Sequence, residues 1–204
     1  DIGSNVGVLL GSFAKQGASV LGIDPASNIV RIAEKRGIET WDEFFSPRIA
    51  EKAVRAKGNA TIITATNVFA HVDDLKSFME AVDILLARDG IFIFEAPYFG
   101  NLINFLEYDT IYHEHLSYLL LEPIIVLATK FGMEVVDVIE RDIHGGSFRV
   151  FISRKGSRPV QERVNKFLEK EKAGRWKCPK TLQAFSKKVE QNRRELTTLL
   201  HSLI

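Results

Sequence analysis

The sequence predicts an α/β fold, a doubly wound, Rossmann-like sheet whose strands are mostly parallel. Short apolar runs typical of buried parallel strands alternate with segments that carry apolar residues at three-to-four spacing. An alternation of strand and helix forms parallel sheets with right-handed crossovers. Near the end of this pattern, two apolar runs are joined by a short segment that contains a Gly-Gly pair. Two strands joined in this way run antiparallel, so we expect the sheet to end in an antiparallel pair, followed by C-terminal helices.

The elements follow from the apolar pattern in chain order. The predicted parallel strands cover residues 19–23, 60–65 and 90–95, and the antiparallel pair covers residues 133–139 and 147–153. The predicted helices cover residues 27–35, 48–57, 72–87, 123–131, 161–172 and 180–200. The last helix carries an apolar stripe, which we interpret as a packing surface: Leu182, Phe185, Val189, Leu196, Leu199 and Leu200. We therefore divide the chain into a domain of residues 1–155 and a helical extension of residues 156–204.

Length and charge narrow the function classes. A chain of 204 residues suits one packed domain with or without an appendage. A formal charge of +1 gives no electrostatic reason to expect nucleic acid or a membrane surface as a partner. The lone Cys178 excludes an internal disulfide and a cysteine-based zinc site within this sequence. The longest apolar runs are well short of a membrane span. We expect a cytoplasmic protein with a small-molecule substrate; the sequence does not indicate an oligomeric state.

The first motif, Asp1-Ile-Gly3-Ser-Asn5-Val-Gly7, has the pattern of a strand end, a tight glycine turn and a helix start. Glycines let the backbone approach a ligand closely, and the amides of such a turn can point at an anionic group. Asp24 follows at the tip of the second strand, where an acid can accept hydrogen bonds from the ribose hydroxyls of an adenosine ligand. These features predict a nucleoside cofactor. The alternative is that the glycines are ordinary turn residues and that Asp24 is the N-cap of the next helix.

The glycine spacing indicates which nucleoside cofactor is bound. A dinucleotide fingerprint has the form G-x-G-x-x-G, whereas this loop places its glycines at positions 3, 7 and 11. The acid at Asp1 suits a cationic amino-acid tail better than a pyrophosphate, which favours S-adenosylmethionine over a nicotinamide cofactor. Tyr112 is followed at the fourth position by Leu116, so the Tyr-x-x-x-Lys pair of many dehydrogenases is absent there.

The stretch from Tyr108 to Tyr118 concentrates titratable and hydrogen-bonding side chains after a predicted core strand: Tyr108, Asp109, Tyr112, His113, Glu114, His115 and Tyr118. Histidine can act as base or acid near neutral pH, and His71 follows another strand. The alternatives are a metal centre that uses His113 and His115, and structural histidines. Methyl transfer to carbon needs a base and a donor for the resulting oxyanion, and this block can supply both.

Six segments in order resemble one family, the sugar C-methyltransferases that act at carbon 3 of nucleotide-linked 4-keto-deoxysugars. They are Asp1-Ile-Gly-Ser-Asn-Val-Gly7, Gly22-Ile-Asp-Pro-Ala26, Asn67-Val-Phe-Ala-His-Val72, Glu95-Ala-Pro-Tyr98, Tyr108-Asp-Thr-Ile-Tyr-His-Glu-His-Leu-Ser-Tyr118 and His144-Gly-Gly-Ser-Phe-Arg-Val150. The resemblance covers residues 1–155 closely and the helical tail loosely, and it implies a class I methyltransferase fold. One departure is Val6, where the family's loop commonly has an acid.

The resemblance also implies roles for individual residues. His115 is the leading candidate for the base at carbon 3, Tyr112 and Glu114 would influence its protonation and hold the sugar, and His71 would approach the keto sugar from the other side. Which of His115, Tyr112 and His71 takes the proton stays open. The implied cofactor-binding residues are Asp1, Gly3, Asn5, Gly7, Asp24 and Asn67. The implied substrate-binding residues are Tyr98, His113, His144 and Arg149.

Family members typically have an N-terminal zinc-binding domain and a further C-terminal domain. Because Asp1 would end a central strand, we expect the natural protein to extend upstream, and we expect structural zinc only in that upstream region. No metal ligand is predicted within these residues. Two other functions stay open: a methyltransferase for another small-molecule acceptor, and a non-catalytic module that binds a nucleoside.

Overall fold

The computed structural model describes residues 1–203. The strands are β1 (Gly22–Asp24), β2 (Thr40–Asp42), β3 (Ala60–Thr66), β4 (Leu86–Pro97), β5 (Met133–Arg141) and β6 (Ser147–Arg154). The α-helices are α1 (Val8–Lys15), α2 (Ser27–Lys35), α3 (Pro47–Lys57), α4 (Leu75–Leu85), α5 (Phe99–Phe105), α6 (Leu121–Thr129), α7 (Glu162–Gly174) and α8 (Pro179–Ser202). Two 3-10 helices, Phe69–His71 and Tyr108–Thr110, follow β3 and α5.

The strands form two groups that the backbone of Ile2 joins. β1 pairs with β2, and the remaining strands lie in the order β3-β4-β6-β5. Ile2 makes parallel bridges to Ile23 of β1 and to Ala65 of β3. The β1–β2 and β3–β4 pairs are parallel, whereas β6 is antiparallel to both β4 and β5. The predicted sheet, mostly parallel with an antiparallel pair at its end, is confirmed.

One strand, one α-helix and the two 3-10 helices were not predicted, and the boundary between α4 and β4 differs from the expected one. β2 has three residues, too few for an apolar period, and α5 has seven residues. β4 begins at Leu86, inside the segment expected to be helical, because Leu86 pairs with Ala60 of β3 across a register irregularity. Because of this strand pairing, α4 ends earlier than the apolar pattern of its sequence predicts.

Aromatic side chains fill the core on one face of β3 and β4. Phe92 and Phe94 of β4 are fully buried, as is Phe69, whose ring stacks on Phe94 at a centroid distance of 4.4 Å. Phe78 of α4 meets Phe69 edge-on at 5.4 Å, and Phe148 of β6 meets Phe94 in the same manner at 5.9 Å. Because Phe69 belongs to the 3-10 helix that ends at His71, this packing fixes the connection that follows β3.

The two C-terminal helices differ in their packing. Val164 and Phe167 of α7 belong to the main core, together with Trp176. By contrast, α8 has no buried residue within the described part of the chain, and Leu196, for example, is 50% exposed. Within residues 1–203, the apolar stripe therefore acts as a packing surface only in part: Phe185 packs against the main core, whereas Leu182, Leu196, Leu199 and Leu200 are exposed. The domain division at residue 155 stays a prediction.

Glu171 of α7 caps the N-terminus of α6 across the fold. Its Oε1 accepts the backbone N–H of Leu121 (2.6 Å) and the hydroxyl of Tyr98 (3.3 Å), and its Oε2 accepts the N–H of Glu122 (3.1 Å). Burial raises the pKa of Glu171, while the two backbone donors act in the opposite direction. A carboxylate beside the first N–H groups of a helix satisfies donors that have no partner within the helix.

We expect Glu171→Ala to lower the free energy of unfolding by roughly 1–3 kcal/mol, because it leaves buried donors without an acceptor. Urea denaturation measures this loss. Glu169→Ala, an exposed site on the same helix, is the matched control and should change stability by less than about 0.5 kcal/mol. Equal effects of the two substitutions would show that the cap is unimportant.

Candidate active site

The glycine loop lies at the carboxyl ends of β1 and β3. Gly3 and Gly7 both have left-handed backbone angles, with φ of 63° and 76°. A Cβ on Gly3 would overlap the Val68 side chain, and a Cβ on Gly7 would come within 3.0 Å of Ile38. Both glycines are therefore required by the backbone conformation and by close packing, independently of any ligand. The Gly7 N–H donates to the Ser4 carbonyl at 3.0 Å and closes the turn.

Asp24 fixes the loop to the start of α2. One oxygen of its buried carboxylate accepts the N–H of Asn5 (2.9 Å), and the other accepts the N–H of Ala26 (3.0 Å). Each carboxylate oxygen has more than one acceptor position, so further hydrogen bonds from a ligand remain available. The alternative that Asp24 is the N-cap of α2 is wrong, because the N-cap residue is Ala26 and no side chain among the described residues caps this helix. Asp24 instead accepts the Ala26 N–H, which is compatible with a ribose contact at the same carboxylate.

Asp1 and Asn67 lie at the neighbouring strand ends. The Asp1 carboxylate accepts the Thr64 hydroxyl at 2.6 Å. Asn67 follows β3 with a left-handed φ of 56°, and its side-chain oxygen is buried with no hydrogen-bond partner among residues 1–203. A buried acceptor of this kind is costly unless a donor arrives, so it fits a cationic amine on a bound ligand. The structure thus brings the predicted cofactor residues to one edge of the sheet.

His71, four residues after Asn67, lies close to a second histidine, His115, with the two rings tilted relative to one another. The centroids of His71 and His115 are 4.9 Å apart. His71 Nδ1 lies 2.8 Å from the carbonyl oxygen of Glu114, and His115 Nδ1 lies 2.8 Å from that of Thr110. A carbonyl only accepts, so each Nδ1 carries the proton and donates. In the neutral rings, each Nε2 then has a free lone pair, as a base requires.

The histidine-rich block is held against the 3-10 helix that contains His71. The Ala70 carbonyl accepts the N–H groups of Leu116 (2.9 Å) and Ser117 (3.1 Å). The ring of Tyr112 lies 4.5 Å from that of His115, centroid to centroid, and remains 44% exposed. The structure therefore groups His71, His115 and Tyr112 beside the cofactor edge of the sheet.

The other predicted site residues have different surroundings. Tyr98, expected to bind substrate, is 1% exposed and donates its hydroxyl to Glu171, so its ring belongs to the core, and it also lines the narrow pocket beside His115. The Glu114 carboxylate does not reach His115: it is exposed and lies 3.9 Å from the exposed ring of His113, while the Glu114 carbonyl orients His71. His144 is exposed in the β5–β6 connection, with φ of 52°.

Arg149 is committed to a partner that the sequence did not suggest. Its Nε and Nη2 both donate to Glu95 Oε2, at 3.0 and 2.7 Å. The Glu95 side chain is only 4% exposed, so the guanidinium balances a buried charge. The Asn67 N–H donates to the Glu95 carbonyl at 2.8 Å, which places this ion pair beside the cofactor edge. A phosphate contact by Arg149 stays a prediction.

The Gly145-Gly146 turn is packed against two polar side chains that sequence reasoning missed, Asn101 and Glu107. Gly145 has φ of 79°, and a Cβ there would lie 2.5 Å from Glu107 Oε1. A Cβ on Gly146 would overlap the Asn101 amide. The only sequence signal for Glu107 is its position directly before the block at Tyr108.

The strand order and the glycine edge define a class I methyltransferase fold. A SAM-dependent methyltransferase from Anabaena variabilis superposes with a TM-score of 0.60 at 17% identity, over 76% of each chain. Magnesium protoporphyrin IX methyltransferase from Synechocystis PCC 6803, solved with bound SAH, superposes with a TM-score of 0.57 at 15% identity, over 76% of this chain and 72% of that chain. Likeness at these identities shows the fold alone.

Residues 1–138 match the methyltransferase domain family, and the chain belongs to it. Residues 142–204 match the family of C-methyltransferase C-terminal domains. C-methyltransferase NovU from Streptomyces niveus is 33% identical over 205 residues, which cover 100% of this chain and 49% of NovU. A ubiquinone biosynthesis O-methyltransferase from Colwellia psychrerythraea is 31% identical over 96 residues, 46% of this chain and 39% of that protein. The chain thus spans about half the length of NovU and less of the O-methyltransferase.

The described residues form neither a membrane-spanning helix nor a metal-binding cluster. No helix within residues 1–203 is both long and apolar enough to cross a membrane. In the same part of the chain, no group of three or more His, Cys, Asp or Glu side chains is placed to hold a metal ion. The zinc expected upstream lies outside this sequence.

We expect Gly145→Ala to destabilise the protein more than Gly156→Ala does. Both glycines have a left-handed φ, 79° and 76°, but a Cβ at Gly156 meets nothing within 4 Å. Gly156→Ala should therefore cost roughly 1–2 kcal/mol from the backbone alone, and Gly145→Ala roughly 1–3 kcal/mol more from overlap with Glu107. Thermal or urea unfolding measures the difference, and equal losses would contradict the packing described.

Proposed function

We propose that the protein is an S-adenosylmethionine-dependent C-methyltransferase that methylates carbon 3 of a nucleotide-linked 4-keto-deoxysugar. The observation that carries the proposal is the pair of Nδ1-protonated histidines beside a glycine-loop edge that suits a nucleoside ligand. The match to C-methyltransferase C-terminal domains and the similarity to NovU support transfer to carbon. The sugar acceptor rests on the motif resemblance.

In this proposal, residues at the carboxyl ends of neighbouring strands form the cofactor site. The Asp24 carboxylate accepts the ribose hydroxyls, the loop of Gly3 and Asn5 closes over the nucleoside, and the Asn67 side-chain oxygen accepts the amine of the methionine part. Asp1 provides a further negative charge near that amine. S-adenosylmethionine supplies a methyl group on a positively charged sulfur, so the protein must create a nucleophilic carbon.

His115 is the proposed base. Its Nδ1–H is held by the Thr110 carbonyl, which fixes the ring and leaves Nε2 to take the proton from the carbon next to the ketone. His115 is less exposed than His71 and lines a pocket with Ser117 and Tyr118. The electron pair of the broken C–H bond passes to the ketone oxygen, and the resulting enolate carbon is the nucleophile.

Tyr112 and His71 are the proposed partners of the enolate oxygen. The Tyr112 hydroxyl can donate directly, and its ring is in contact with that of His115. Since His71 uses Nδ1–H for the Glu114 carbonyl, it donates from Nε2 only when protonated. The sugar contacts of His113, His144 and Arg149, the upstream zinc and a cytoplasmic location are also proposals.

For cofactor binding, we expect Asp24→Asn to weaken S-adenosylmethionine binding roughly 10- to 100-fold, the range for losing hydrogen bonds to a charged group. Titration calorimetry measures the affinity. Asp42→Asn is the matched control, because Asp42 is the exposed register partner of Asp24 on β2. Binding of NAD in place of S-adenosylmethionine would contradict the proposal.

For catalysis, we expect His115→Gln to slow hydrogen–deuterium exchange at carbon 3, and methyl transfer, by roughly 100-fold or more, the contribution typical of a general base. Mass spectrometry of keto sugars incubated with the full-length protein in D2O measures the exchange. The control is His201→Gln in α8, far along the chain and exposed. If His71→Gln abolishes exchange while His115→Gln retains it, the base is His71.

Two other outcomes separate the alternatives. Methyl transfer to an oxygen acceptor, as performed by the ubiquinone biosynthesis relatives, would make the protein a methyltransferase of another class. Tight S-adenosylmethionine binding without turnover of any acceptor by the full-length protein would favour a non-catalytic nucleoside-binding module.

A further inference from the structure

Glu107 lies directly before the histidine-rich block and is tied to it by backbone hydrogen bonds. Its N–H donates to the Leu102 carbonyl at 3.0 Å, and its carbonyl accepts the Thr110 hydroxyl at 2.8 Å. The Thr110 carbonyl in turn accepts His115 Nδ1–H. Glu107 and His115 therefore belong to one rigid segment, with Thr110 between them.

The Glu107 carboxylate has a defined position because it lies against a glycine. Gly145 leaves the space that a Cβ would occupy, 2.5 Å from Oε1 and 2.9 Å from Oε2. The Gly146 N–H donates to the Ile143 carbonyl at 3.0 Å, which holds the turn in place. This turn belongs to the segment His144–Val150, the last of the six in the resemblance, and the close fit against Glu107 is a physical reason for its glycine at position 145.

Glu107 and His115 line the same narrow pocket. Its free volume is about 10 Å³, and its walls include the apolar Pro97 and Phe99 and the polar Tyr118. A space of this size accommodates one group about as large as a water molecule. A hydroxyl group fits it, whereas a sugar ring does not.

The Glu107 carboxylate needs a hydrogen-bond donor that the described residues do not supply. Among residues 1–203, no side chain or backbone N–H donates to it, and burial together with the nearby Asp109 raises the pKa of Glu107. A partly buried carboxylate without a donor is unfavourable, and a ligand hydroxyl relieves this.

We propose that the Glu107 carboxylate accepts a hydrogen bond from a hydroxyl group of the acceptor molecule, beside the carbon from which His115 removes a proton. This inference rests on the proposed function and adds a residue that determines specificity. A hydroxyl held at a second fixed point sets the orientation of the ring relative to the base. It also excludes acceptors that lack the hydroxyl, because the carboxylate would then stay unpaired.

The test uses the full-length protein and a panel of 4-keto-deoxyhexoses linked to thymidine, uridine, cytidine or guanosine diphosphate. We expect Glu107→Ala to raise the acceptor KM roughly 10- to 100-fold, and Glu107→Gln to recover part of this, because the amide oxygen still accepts. S-adenosylmethionine affinity and carbon-3 exchange at saturating acceptor should change less than about threefold. Asp89→Asn, which removes an exposed charge near the start of β4, is the control.

A series of acceptor analogues, each lacking one hydroxyl, identifies the contacted group. With the analogue that lacks that hydroxyl, Glu107→Ala should change KM little, whereas the effect should persist with the other analogues. An acceptor KM unchanged by Glu107→Ala would falsify the inference. Loss of carbon-3 exchange with an unchanged KM would also overturn it, because Glu107 would then move a proton. If the wild-type protein turns over none of the keto sugars, the proposed function itself fails, and the inference with it.

Discussion

The backbone of Asp1 to Gly3 is the connection on which the rest of the structure depends. Ile2 donates to the Thr64 carbonyl at 2.8 Å, and Gly3 donates to the Ile23 carbonyl at the same distance. These bonds join the β1–β2 pair to the other four strands, and they place the glycine turn at the carboxyl ends of both groups. In open α/β sheets, ligands bind where the strand order changes direction at that edge. Asp24 and Asn67 come together because this one segment hydrogen-bonds to a strand on either side.

A second connection brings the candidate catalytic histidines to that edge of the sheet. Asn67 directly follows β3, and the 3-10 helix after it is anchored in the core by Phe69. The Ala70 carbonyl then holds the distant histidine-rich block, which brings the His115 ring against that of His71. Carbonyl groups on both sides orient the two imidazoles through Nδ1. Backbone carbonyl groups therefore set the tautomers that suit a base, and no carboxylate is needed for this. For that reason, the outward direction of the Glu114 side chain is compatible with the proposed chemistry.

Much of the fold could be predicted from the sequence, and less of the site. The helix of residues 27–35 coincides with α2, and the final antiparallel pair occurs close to the predicted positions, because apolar period and length are local properties. The three-residue β2 has no such signal. Tyr98, which the resemblance places at the site and which directly follows a strand, turns its ring into the core to meet Glu171 and Trp176. A position at a strand end does not specify the face to which a side chain points.

By itself, the sequence determined the class of sheet, the glycine turn, the acid Asp24 at a strand end and the block that contains His115. Each of these is encoded by residue type and short-range spacing. Only the tertiary structure decided which members of the block face inward, that Arg149 pairs with Glu95, and that Glu107 lies beside His115 against Gly145. These contacts join residues that are distant in the chain or depend on side-chain direction, and both are set by packing. The pattern of titratable residues locates a site, and the packing of the chain assigns the roles.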